Sequence, residues 1–209
     1  MKKWNRVLPL AVTALLLGGC GEAAVDVTTV AIQKDGTIRH TMVEAFGEES
    51  VDELQSMMEE KAAEYNGSNS ASVSVDTVSV DGDVVRVVMT YPDAASFDGF
   101  MNMDVVAVDP ALRAPFFYGT VEEALMQGYD LETALQGVDT EETLQGKSDL
   151  LTRGENRIII YDNEMNLGEP VQISTQEKPL YVSSNVTVLG KNLVEISGDE
   201  GLAYILLES

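Results

Sequence analysis

Two Asp-Gly dipeptides, Asp35-Gly36 and Asp81-Gly82, constrain this chain more than any other feature. Each stands between two runs rich in β-branched and apolar residues. Val27 to Ile32 and Thr37 to Phe46 flank the first, and Val73 to Val80 and Val84 to Tyr91 flank the second. Glycine supplies the positive φ that a tight turn needs, so each arrangement predicts an antiparallel hairpin. Val85, Val87, Met89 and Tyr91 alternate along the last run and define its buried face. The phase slips between Val75 and Val78, which predicts a β-bulge there.

Helical periodicity fills the gaps between the hairpins. Ser50 precedes Glu53 by three residues, the spacing of a capping box, and Val51, Leu54, Met58, Ala62 and Tyr65 then recur every three or four residues. Asn66-Gly67 is the expected stop, with a polar loop over Ser68 to Ser72. After Pro92, Asp93 is placed to cap a short helix whose Phe97, Phe100 and Met101 share a face. The order ββαββα over about Val25 to Met103 predicts an α+β fold, an antiparallel sheet with helices on one side.

Pro110 and Pro115 mark a change of character, and the expected units are 25–109 and 110–209. Thr120 and Glu123 form another capping box, leading into a short helix that ends at Gly128. Leu131 to Gln136 and Thr140 to Leu144 read as further short helical pieces. Arg157 to Tyr161, Val171 to Ser174, Leu180 to Leu189, Leu193 to Ser197 and Leu202 to Leu207 read as strands of a mostly antiparallel sheet. Phe116, Phe117 and Tyr118 follow Pro115 directly. Side chains alternate in an extended segment, so three adjacent aromatics cannot point one way, and at least one is expected in each neighbouring unit. The other reading makes Phe116, Phe117 and Tyr118 an exposed patch, a candidate partner surface.

The N-terminus has a separate logic. Lys2, Lys3 and Arg6 precede an apolar run from Val7 to Leu17 and two glycines, the layout of an export signal. The run is 11 residues long, whereas a helix needs about 20 to span a bilayer. Leu17, Gly18, Gly19 and Cys20 resemble the lipobox of bacterial lipoproteins: an aliphatic residue, two small residues and a cysteine. That resemblance implies a signal peptide over 1–19, a diacylglyceryl group on the Cys20 sulfur, and a tether over 20–24. Two acyl chains suffice for stable anchoring where one holds marginally. The expected location is a cell membrane, lipid-anchored and facing away from the cytoplasm, on the outer face of a membrane or on the periplasmic face of an envelope. Gly21 stands where Gram-negative lipoproteins kept at the inner membrane carry aspartate.

A lipidated Cys20 removes disulfides, thiolate catalysis and cysteine-based zinc sites. His40, the only histidine, shares a strand face with Ile38 and Met42 and reads as a partly buried, hydrogen-bonded sheet residue. It has no G-x-S-x-G to accompany it, and phosphate-binding glycine loops are absent. Asp81-Gly82-Asp83 lacks the rest of a calcium loop. No catalytic, metal-binding or cofactor-binding residue is therefore assigned.

Thirty-five acids against 13 bases give a net charge of -22, which opposes nucleic acid and anionic headgroups as direct partners. The acids gather at Glu48-Glu49, Asp52-Glu53, Glu59-Glu60, Glu122-Glu123 and Asp139 to Glu142, as expected of helix starts and solvated faces. The expected function is a non-catalytic binding or envelope-assembly module, with a protein or cell-wall partner. The alternatives are a carboxylate-dependent hydrolase of wall glycans or a small-solute receptor for a transporter.

Overall fold

The computed structural model describes residues 26–45, 50–166, 169–197 and 201–209. The signal-like segment, Cys20, the tether, Phe46 and the Glu48-Glu49 pair lie outside them. Both hairpins form. Strands β1 (Thr29–Ile32) and β2 (Ile38–Ala45) pair with Ile32 opposite Ile38. The Asp35 carboxylate in their turn accepts the Thr37 hydroxyl at 2.7 Å and its N–H at 3.1 Å. Gly36 has φ 88° and Gly82, in the second turn, φ 61°, the left-handed region that glycine enters without steric cost. Helix α1 (Val51–Asn69) separates the hairpins, and strands β3 (Ser74–Asp81) and β4 (Val84–Tyr91) make the second, with the bulge between Val75 and Thr77.

Helix α1 departs from expectation at both ends. Ser50 is exposed and makes no side-chain cap, and only its carbonyl engages the helix, accepting the Leu54 N–H at 3.0 Å. At the other end the helix runs through Gly67 to Asn69 and stops at Ser70, φ 52°. The side chain of Asn66 accepts the Val73 N–H and donates to its carbonyl, both at 2.8 Å, so this asparagine ties the helix to the start of β3. Helix α2 (Ala94–Val108) does start at Asp93, whose carboxylate accepts the Ser96 N–H at 2.7 Å, but at 15 residues it is not short. Gly99 lets the two helices meet, since a Cβ there would collide with the Tyr65 hydroxyl.

The second half contributes a 3-10 turn at Pro110–Leu112, then β5 (Phe116–Thr120), α3 (Val121–Met126), β6 (Ala134–Gly137) and β7 (Thr143–Gln145). It continues with α4 (Lys147–Leu151), β8 (Arg157–Asp162), β9 (Val171–Ser174), β10 (Pro179–Val182), β11 (Val186–Gly190), β12 (Leu193–Ile196) and β13 (Leu202–Leu207). The Thr120 box closes in both directions, with Glu123 N–H to the threonine hydroxyl at 3.1 Å and Thr120 N–H to the Glu123 carboxylate at 2.8 Å. The expected helical pieces at Leu131 to Gln136 and Thr140 to Leu144 are instead largely the β6–β7 hairpin. Leu135 and Leu144 stand opposite each other and are both buried. Segments this short cannot repay helix nucleation alone, and a cross-strand apolar pair decides the outcome.

The fold is α+β, with strands in the order β11-β12-β9-β1-β2-β4-β3 in one sheet and β5-β8-β13-β10-β6-β7 in the other. The change of character at Pro110 and Pro115 does not divide the sheets. Strands β9, β11 and β12 from the second half extend the first sheet, with β9 parallel to β1, Val30 beside Ile173. One core lies between the seven-stranded sheet, α1, α2 and one face of the six-stranded sheet, and includes Met89, Tyr91, Phe97, Phe116 and Ile205. A second core, with Phe117, Val121, Leu135, Leu150 and Leu206, fills the other face of the six-stranded sheet beneath α3 and α4. Among the described residues no helix is long and apolar enough to cross a membrane.

Candidate functional site

The junction after α2 splits its aromatics as strand alternation requires. Phe116 enters the first core, edge-on to Phe97 at 4.9 Å and to Tyr161 at 6.1 Å between ring centroids. Phe117 enters the second core, 5.0 Å from Tyr129. Tyr118 packs partly against the first core, donates to Glu177 at 3.2 Å, and has the Arg157 guanidinium 5.0 Å from its ring. Phe116 and Phe117 are 3% and 7% exposed, so a partner surface made of Phe116, Phe117 and Tyr118 is not what the junction offers.

A polar network fixes the junction. Asp98 on α2 is buried, accepts the Phe116 N–H at 2.8 Å and pairs with the Arg113 guanidinium. One turn on, Asn102 donates to the carbonyls of Asp98 at 2.8 Å and Ala114 at 2.9 Å, and accepts the Ala114 N–H at 2.9 Å. The bond that Arg113 donates to Asp98 holds the Arg113 pKa above its ordinary value, and burial, with the Asp98 charge second, pushes the Tyr129 hydroxyl up. The network therefore bolts α2 to the first residue of β5. Asp98→Ala is expected to cost about 2 kcal/mol, because it strands a buried N–H, and Asp98→Asn, which keeps an acceptor, less. Denaturant midpoints measure this, and wild-type stability in Asp98→Ala would show the network to be idle.

What the junction does expose is aliphatic. Among the described residues eight large apolar side chains are exposed, and Val105, Val106, Val108, Leu112 and Met126 are five of them. Val108 is 83% and Met126 78% exposed. Next to three of them in the chain, Val108, Leu112 and Met126, come the walls of a hollow of about 350 Å³: Pro110, Arg113 and Pro115 from the segment after α2, and Gln127, Gly128 and Tyr129 from the segment after α3. Leu112 precedes Arg113 on the first wall, and Met126 precedes Gln127 on the second. The sequence signal for this surface was the composition of α2. Val105-Val106-Ala107-Val108 is apolar around the helix, and only one face of a helix can meet the core.

A second hollow, about 370 Å³, lies beside Asp139, Lys178, Leu189 and Lys191. Its Lys178 is already paired with Asp139, and Leu189 is its one strongly exposed apolar side chain. His40 is 2% exposed, edge-on to Phe97 at 5.2 Å, and its Nδ1 has no hydrogen-bond partner, unlike the hydrogen-bonded sheet residue expected. Among the described residues no three His, Cys, Asp or Glu side chains gather to hold a metal. No protein-family model, curated protein or solved structure matches the chain.

Proposed function

We propose that this chain is a lipid-anchored, extracytoplasmic lipoprotein that works as a binding or envelope-assembly module rather than as a catalyst. The order of basic residues, apolar run, Leu17-Gly18-Gly19 and Cys20 supports the anchor. The observation that carries the binding role is the aliphatic surface at the junction. Buried aromatics and the Asp98 network hold its base rigid, while Val108, Leu112 and Met126 remain in solvent. Large aliphatic side chains left this exposed close together in one region mark docking sites more often than chance surface. The most buried carboxylate of the region, Asp98, is engaged by Arg113 and Phe116, so it does not favour the hydrolase alternative.

Mass spectrometry of protein extracted from membranes is expected to find a chain that begins at a diacylglyceryl-modified Cys20. Cys20→Ala is expected to move the protein from the membrane fraction to the soluble one or to trap the precursor. A mature chain that retains Met1, or a free Cys20 thiol, overturns the anchor. Wild-type partner capture by a chain bearing serine at 108, 112 and 126 overturns the docking role.

A further inference from the structure

We infer that the junction surface takes a basic amphipathic polypeptide segment, one with an aliphatic stripe flanked by Lys or Arg. The inference rests on the docking role proposed above and adds the chemistry of the occupant. The stripe follows from the aliphatic residues just described, which have no aromatic or hydrogen-bonding character to select a polar ligand. The charge follows from their surroundings. From 98 to 130 the sequence holds Asp98, Asp104, Asp109, Glu122, Glu123 and Asp130 but one base, Arg113.

Arg113 brings no free charge to the hollow, because its guanidinium is already paired with the buried Asp98. The remaining five acids are all exposed. Asp109, whose carboxylate accepts the Ala111 N–H at 2.9 Å, stands between Val108 and Pro110, and Asp130, whose carboxylate accepts the Glu132 N–H at 2.9 Å, follows Tyr129, so each wall of the hollow has an exposed acid next to it in the chain. Asp104 is 70% exposed on α2 and pairs with Lys61 of α1. Glu122 and Glu123 lie in the first turn of α3, upstream of Met126. With Asp104 answered by Lys61, four exposed acids, Asp109, Glu122, Glu123 and Asp130, have no cationic partner among the described residues, and an acidic partner would be repelled by them. A basic one is steered in by them and then held by the aliphatic centre.

The full chain in phosphatidylcholine nanodiscs would be offered a synthetic Leu/Lys peptide of about 18 residues, five helical turns, carrying a photoreactive group on its leucine stripe. Two companion peptides replace every lysine by glutamine or by glutamate, and a third keeps the lysines but replaces the leucines by serine. Cross-links are mapped by mass spectrometry. The Leu/Lys peptide is expected to label 105–113 and 126–129. Its yield there should exceed that of the Leu/Gln peptide by about tenfold or more and fall by a similar factor in the Val108→Ser, Leu112→Ser, Met126→Ser chain, while Leu189→Ser changes nothing. Raising the salt should shrink the advantage over Leu/Gln.

Equal labelling of the surface by the Leu/Gln or Leu/Glu peptide overturns the basic partner and leaves the docking role standing. Labelling spread over other acidic surfaces, by the Leu/Lys and Ser/Lys peptides alike, overturns both. So does a yield that the triple substitution leaves unchanged.

Discussion

Phe116→Ala is expected to lower the free energy of unfolding by about 3 to 5 kcal/mol, the usual cost of removing a buried phenylalanine. The ring is 3% exposed, lies edge-on to Phe97 and Tyr161, and stands opposite Tyr161 in the β5–β8 ladder. Alanine there opens a cavity where strands from both halves of the chain meet. Phe116→Leu, which fills most of the volume but loses the two edge-to-face contacts, should cost less, about 1 to 3 kcal/mol.

Phe117→Ala tests the other core, since that ring points to the opposite face of the same sheet. It too is expected to destabilise the protein strongly. Because β9, β11 and β12 complete the sheet begun by β1 and β2, the loss should appear as an earlier single transition and not as separate melting of two halves. Chemical denaturation followed by circular dichroism reads both the midpoint and the number of transitions. Unaltered melting in both alanine variants would place the rings outside the cores. Two transitions would show independent units divided at Pro110.

The parts of this fold that were legible in the sequence are those decided by neighbours a few residues apart. Asp35-Gly36 and Asp81-Gly82 specify their turns, and the alternation of Val85, Val87, Met89 and Tyr91 sets which face is buried. The same rule, applied to Phe116 and Phe117, placed one ring in each core. What was not legible depends on distant partners. Nothing near Val171 says that it will lie beside β1, because parallel pairing across some 140 residues leaves no local mark. Residues 134–137 and 143–145 have the composition of helix, yet Leu135 and Leu144 become a buried cross-strand pair once the six-stranded sheet exists to receive them.

The candidate site was half legible for the same reason. The junction stood out through its prolines and aromatics, but the aromatics turned inward. The exposed residues, Val108, Leu112 and Met126, are ordinary in sequence and become a surface only where α2 overruns the core and α3 ends beside it.

His40→Leu is expected to abolish a loss of stability that the wild-type protein suffers between pH 6.5 and 4. The imidazole is enclosed by Tyr91 and Phe97, which offer no charge to a proton, and burial lowers its pKa to about 4 from the ordinary 6.5. Unfolding returns it to water, where it protonates near 6.5. Between the two values the unfolded chain binds the extra proton, so stability falls as the pH falls and rises as the pH rises. The window closes below about 4, where both states are protonated, and the cumulative loss across it is about 3 kcal/mol at 1.4 kcal/mol per pH unit. At pH 7 the imidazole is neutral in both states. There the variant should match or exceed the wild type, because leucine removes the unpartnered Nδ1 from an apolar site. Acidification also relieves the mutual repulsion of a chain with net charge -22, but both proteins share this effect. The difference between their stability curves therefore isolates the imidazole. It should be flat above pH 7 and widen steadily toward pH 4. Parallel curves throughout would mean that His40 reaches solvent or a proton acceptor in the folded state.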